Sequence, residues 1–244
     1  MPGHLFVGTS GYAYPDWAPR FYPSATPAPA RLPFYAARLP AVELNNTFYR
    51  HPDEGQVQTW VQATPPDFRF SIKTQRGGSL RALRADPATT LEWLLRPYRL
   101  FGERLGTVLF RVPEPIERDD GALDRLLRAW PTEVPVTFEF QAPSWDDDWV
   151  HGRLRSSGAA LCITDLASLD EPPTVRLTGS FLYLRLRRDD YDATELDAWA
   201  ARVEPFLSAG HDVFCFFKHD ATGRATELAI DFRTLLDPRG AAPA

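Results

Sequence analysis

Phe181-Leu182-Tyr183-Leu184-Arg185-Leu186-Arg187 alternates apolar residues with Tyr183, Arg185 and Arg187. Successive side chains of a strand point to opposite faces, so the polar set shares one face and the apolar set the other. Three further runs read the same way: Val42-Glu43-Leu44-Asn45, Phe70-Ser71-Ile72-Lys73 and Val136-Thr137-Phe138-Glu139-Phe140. In a closed barrel the outer face meets apolar helices, which turns the polar set inward. Buried charges are costly unless paired, and Glu43 and Glu139 set against Lys73 and Arg185 meet that condition.

Working outward, eight short runs read as strands: Leu5–Gly8, Val42–Asn45, Phe68–Lys73, Thr107–Phe110, Val136–Phe140, Ala160–Thr164, Phe181–Leu186 and Asp212–Phe217. Helical patterns lie between most of them. One begins near Asp53 and closes at Thr59–Ala63. The others span Pro87–Leu105, Gly121–Trp130, Ala193–Ser208 and Thr222–Leu236. The segment near 166–180, broken by Pro172-Pro173, predicts one irregular crossover. Alternating strands and helices imply parallel pairing, and eight units close a barrel. The expected fold class is α/β, a single TIM-like (β/α)8 barrel over residues 1–244, with 237–244 expected to fray. An open doubly wound sheet is the competing fold and usually has fewer strands.

The 244 residues suit one such barrel. A net charge of −5 argues against a general nucleic-acid coat or an anionic membrane surface. No apolar run approaches the roughly 18 residues of a membrane span, and Met1–Phe6 lacks signal-peptide character. Cys162 and Cys215 sit in separate apolar runs and read as reduced, buried thiols, so the expected location is cytoplasmic. Of 27 basic residues only Lys73 and Lys218 are lysines.

Gly8-Thr9-Ser10-Gly11-Tyr12, Trp17 and Phe21-Tyr22-Pro23 open the chain, and Val42-Glu43-Leu44-Asn45-Asn46-Thr47-Phe48-Tyr49-Arg50 follows. With Phe70–Lys73, Val108–Phe110, Phe138–Phe140, Pro143-Ser144-Trp145 and Phe216-Phe217, these segments resemble the "domain of unknown function 72", or YecE-like, family over nearly the whole chain. The resemblance implies a TIM-like barrel and no particular activity. Arg111 stands where that family usually has Gln, Gln141-Ala142 where it has Arg-His, Arg187-Arg188 where it has His-Gly, and Lys218-His219 where it has an Asn pair. The N-terminal half of the expected site follows the family pattern and the C-terminal half departs from it.

Barrel enzymes carry their chemistry at the C-terminal ends of the strands. Glu43, Lys73 and Glu139 are the catalytic candidates there. Thr9, Ser10, Tyr12, Asn45, Tyr49, Arg76, Arg111, Arg185, Arg187, Lys218 and His219 are the candidates for binding a ligand. Lysine, unlike arginine, changes its pKa readily when buried. A structural ion pair between Lys73 and Glu43 is the plainer expectation for that lysine. Glu43 and Glu139 suit an acid/base pair, and so a hydrolase. Glycoside hydrolysis, however, wants carboxylates about 5 to 10 Å apart, and strands two and five are distant on the ring.

Of the five histidines only His219 falls at the mouth, and no H-x-H or H-E-x-x-H spacing occurs, so neither a metal nor a cofactor is implied. Lys73 to Arg84 reads as a basic loop. Thr222-Gly223-Arg224 opens the last helix, where free N–H groups can hold an anion, in the quadrant that binds phosphate in this architecture. The leading reading is an enzyme or binder for a small anionic molecule, a phosphate-bearing sugar or nucleotide. The alternative is a non-catalytic binder of single-stranded nucleic acid, stacking bases on rings such as Trp17, Tyr22, Tyr49 and Trp145.

Overall fold

In the computed structural model, which describes residues 1–236, eight parallel strands close in sequence order, each pairing with the next and the eighth with the first. The strands are β1 (Leu5–Ser10), β2 (Ala41–Leu44), β3 (Arg69–Lys73), β4 (Leu105–Val112), β5 (Val136–Phe140), β6 (Ala160–Asp165), β7 (Phe181–Leu186) and β8 (Asp212–Phe217). The α/β barrel expectation holds, and the open sheet is excluded. The α-helices are α1 (Ala28–Ala36), α2 (Asn46–Tyr49), α3 (Glu54–Gln62), α4 (Arg76–Arg84), α5 (Pro87–Leu95), α6 (Asp120–Ala129), α7 (Asp148–Ser157), α8 (Ala193–Ser208) and α9 (Arg224–Leu236). The expected fraying of 237–244 lies outside the described residues.

Aspartate side chains start the helices. Asp53, Asp86, Asp119, Asp147 and Asp192 each accept a backbone N–H in the first turn, and Asp192 closes a capping box with Glu195. The helix read over 87–105 stops at Leu95, because Pro97 has no N–H to continue it; a 3₁₀ segment, Tyr98–Arg104, finishes the connection. The basic "loop" after Lys73 is in fact α4. Gln75 caps it, and Gly78, Ser79, Ala82 and Leu83 form its buried stripe. The segment between β6 and β7 holds neither helix nor strand, so the irregular crossover is present.

The outer faces of the strands (Val42, Leu44, Phe70, Ile72, Leu182, Leu184) join the helices in the main core. Inside, Phe6 stacks on Phe214 at 4.8 Å and Phe181 meets Phe214 edge-on at 5.2 Å, closing the N-terminal end of the barrel. Ala41, Leu109, Ala160, Cys162, Tyr183 and Phe216 extend this apolar plug. Both cysteines are buried and unpaired. Above the plug the lumen turns polar. No helix among the described residues is long and apolar enough to cross a membrane.

Candidate functional site

Glu43 is fully buried at the end of β2. Its Oε1 accepts from Ser10 Oγ at 2.8 Å and from Arg185 Nη2 at 2.9 Å, while Oε2 accepts from Tyr183 Oη at 2.8 Å. Tyr183 Oη also contacts Ser71 Oγ at 2.6 Å. Gly11, at a φ of 91° that favours glycine, turns the chain after β1 and donates its N–H to the Glu43 carbonyl at 2.8 Å. Arg185 spans the lumen from β7: its other terminal nitrogen, Nη1, donates to Glu139 Oε1 on β5. One guanidinium therefore holds both carboxylates; of the expected pairing of Glu43 and Glu139 with Lys73 and Arg185, the structure forms the Arg185 part.

Burial alone would raise the Glu43 pKa, but Arg185 and then Lys73 outweigh it and hold the carboxyl at about 2. Burial likewise opposes the Arg185 charge, and Glu43 and Glu139 overcome it, pushing that group well above its ordinary value.

Lys73 does not form the expected ion pair with Glu43. Its side chain is 7% exposed and, among the described residues, has neither a hydrogen bond nor an ion pair; the Phe48 ring centroid lies 4.7 Å from Nζ. Burial pushes its pKa down to about 8; Arg185 adds to that, while Glu43 and Glu139 oppose it. Arg187, half-buried, also lacks a side-chain partner, and burial followed by Arg185 lowers its pKa. Arg111 donates to Gln141 Oε1 at 2.7 Å, so two departures from the family pattern contact each other. Its Nε lies 3.4 Å from Glu139 Oε2, yet both atoms are buried without a hydrogen bond.

Lys73, Arg111, Glu139, Arg185 and Arg187 line one cavity of about 610 Å³, roofed by the segments after β5 and β6. The polar alternation pointed to Lys73, Glu139, Arg185 and Arg187, and position after β4's apolar run pointed to Arg111. It did not point to Thr164 or Gln141, which also line the cavity, nor to His151, which enters from α7 and lies 3.3 Å from Asp146.

Several expected residues stand elsewhere. Thr9 faces outward, bonded to Tyr35 Oη from α1, because it shares the parity of Leu5 and Val7; Ser10, of opposite parity, reaches the lumen. Asp165, which ends β6 and is not among those candidates, likewise points outward, to Arg188, Tyr191 and Trp199. Tyr12 leans away and accepts from Trp60 Nε1 of α3. Lys218 pairs with Asp189 at 2.6 Å on the exposed rim. His219 stacks on Tyr14 at 4.9 Å, its pKa lowered by burial and then by Arg187. Arg76 borders a neighbouring recess with Phe48 and Arg111, Asn45 precedes α2, and Tyr49 is 82% exposed.

The start of α9 is no open anion site. Asp220 already accepts from the N–H groups of Thr222, Arg224 and Ala225, and Arg224 is paired with Asp190 and Glu227. Among the described residues no group of three or more His, Cys, Asp or Glu side chains could hold a metal ion.

Known proteins share this architecture and, in part, this sequence. The chain is 24% identical to the UPF0759 protein YunF of Bacillus subtilis, covering 96% of this chain and 95% of that protein. A DUF72 family crystal structure from Thermotoga maritima superposes with a TM-score of 0.83 at 25% identity, covering 96% of this chain and 99% of that one. Another, from Enterococcus faecalis, gives 0.77 at 18% identity over 96% and 98%. The model of the family described as "Protein of unknown function DUF72" matches residues 6–244, and the chain belongs to that family.

Proposed function

We propose that the mouth of the barrel binds a small anionic molecule, a phosphate-bearing sugar or nucleotide. The observation that carries this reading is the charge balance of the inner layer. Lys73, Arg111, Arg185 and Arg187 face only Glu43 and Glu139, and Arg185 engages both carboxylates. Lys73 and Arg187 are left as cations without an acidic partner, both on the 610 Å³ cavity. The rim of the cavity also carries Glu114, Asp146 and Arg176, and His151 lies 3.3 Å from Asp146. Uncompensated buried charge is destabilising, and a bound anion relieves it. The cavity volume falls within the range of about 300–1,000 Å³ usual for small-molecule sites.

Glu43 is poorly suited to general acid/base work: three donors occupy its oxygens and its pKa lies far below neutrality. It serves instead to hold Arg185. Lys73, its pKa pushed down to about 8, is the group on this wall suited to proton transfer or nucleophilic attack. For single-stranded nucleic acid, Trp17, Tyr22 and Trp145 are at most 1% exposed and cannot stack on bases, which leaves Tyr49, 82% exposed, as the accessible ring of those four.

Thermal unfolding titrated with inorganic phosphate and with a nucleoside monophosphate tests the reading. A ligand that binds only the folded state raises its stability. Wild type should be stabilised and Arg187→Ala should not, since Arg187 has no internal partner whose loss would confuse the result. No stabilisation at millimolar ligand overturns the reading.

A further inference from the structure

We infer that Lys73 forms a covalent imine with the carbonyl carbon of a phosphate-bearing aldehyde or ketone held in this cavity. The inference rests on the anion site just proposed and adds the chemical class of its ligand. Three features support it. The Lys73 amine lies on the cavity wall with no hydrogen bond and no ion pair. Burial, and then Arg185, favour the neutral, nucleophilic amine, while Glu43 and Glu139 work against it. Glu139 Oε2, on the same wall, accepts no hydrogen bond, with Arg111 Nε 3.4 Å away. Arg187, more exposed than Lys73, is placed to take the phosphate while the carbonyl reaches deeper.

In the step, the Nζ lone pair forms a bond to the carbonyl carbon and the C=O π electrons move to oxygen. The oxygen then leaves as water, carrying both protons lost from the amine, and a C=N bond remains. No oxidant or metal is required.

The chain offers an internal control. Its primary amines are Lys73, Lys218 and the amino terminus, and Lys218 is tied to Asp189 at 2.6 Å on the exposed rim. The full-length protein would be incubated near pH 8 with glycolaldehyde phosphate and sodium cyanoborohydride, and the modified peptide mapped by mass spectrometry. The expected result is one reduced adduct per chain on Lys73, absent from Lys73→Arg, which keeps the charge but cannot form the imine. Circular dichroism of that variant checks its folding, and loss of adduct in Lys73→Met, at a smaller side chain, guards against a misfolded arginine variant. No adduct, or one distributed over Lys218 and the amino terminus, overturns the inference. Unphosphorylated glycolaldehyde separates the two claims. Equal labelling of Lys73 with and without phosphate refutes the anion site while leaving the imine; stabilisation by phosphate without any adduct does the reverse.

Discussion

Replacing Lys73 by methionine should make the protein more stable. The substitution keeps an unbranched side chain of similar length and removes an ammonium that is 7% exposed and has no acidic partner. The fold lowers the Lys73 pKa from 10.5 to about 8. At about 1.4 kcal/mol per unit, holding the charged form in place at pH 7 costs about 3 kcal/mol. The contact of Nζ with the Phe48 ring at 4.7 Å returns about 1 kcal/mol. A net gain of about 2 kcal/mol remains, or about 6 °C for a chain of this length.

The wild-type protein should also carry a pH signature. Between pH 8 and 10.5 the unfolded chain holds a proton that the folded one has released, so stability rises with pH across that window. Lys73→Met should lack that rise. Urea unfolding of both proteins at pH 7 and pH 10 measures each point. A methionine variant less stable than wild type at pH 7, or one with an unchanged pH slope, would show that Lys73 is satisfied by contacts the structure does not contain. A group that costs stability where it sits is characteristic of functional sites.

Arg185→Met should cost at least about 3 kcal/mol in urea unfolding, because it strands two buried carboxylates; a loss below 1 kcal/mol would exclude Arg185 as their common anchor. Glu43 has its folded pKa depressed from 4.5 to about 2, so the stability it contributes is complete above pH 4.5 and lost as pH falls through 2. That contribution is about 3 kcal/mol, and a pH series of urea midpoints should show a shallower acid limb in Glu43→Gln. Asp220→Ala should lower stability by about 1–2 kcal/mol, since it frees three N–H groups at the start of α9. If that same variant gained phosphate affinity in a thermal titration, the blocked helix end would be a latent anion site.

The strands, and the lumen face of most of them, were legible in the sequence because side-chain period and hydrophobicity are local properties. Glu43, Lys73, Glu139, Arg185 and Arg187 were placed inside by alternation alone. The same rule, followed strictly, puts Thr9 with Leu5 and Val7, and Asp165 with Leu161 and Ile163, on the outer face where the structure has them. Helix α4 was hidden because Gly77 and Gly78 resemble a loop; its burial against neighbouring helices gives it its stripe. What only the tertiary structure decided is which opposite charges meet. Glu43 and Arg185 are 142 residues apart, and Glu139 lies on a third strand. Whether one guanidinium reaches both depends on the stagger and width of the closed barrel, which no single strand encodes. Once Arg185 takes both carboxylates, Lys73 and Arg187 have none left, and that leftover charge makes the mouth a candidate site.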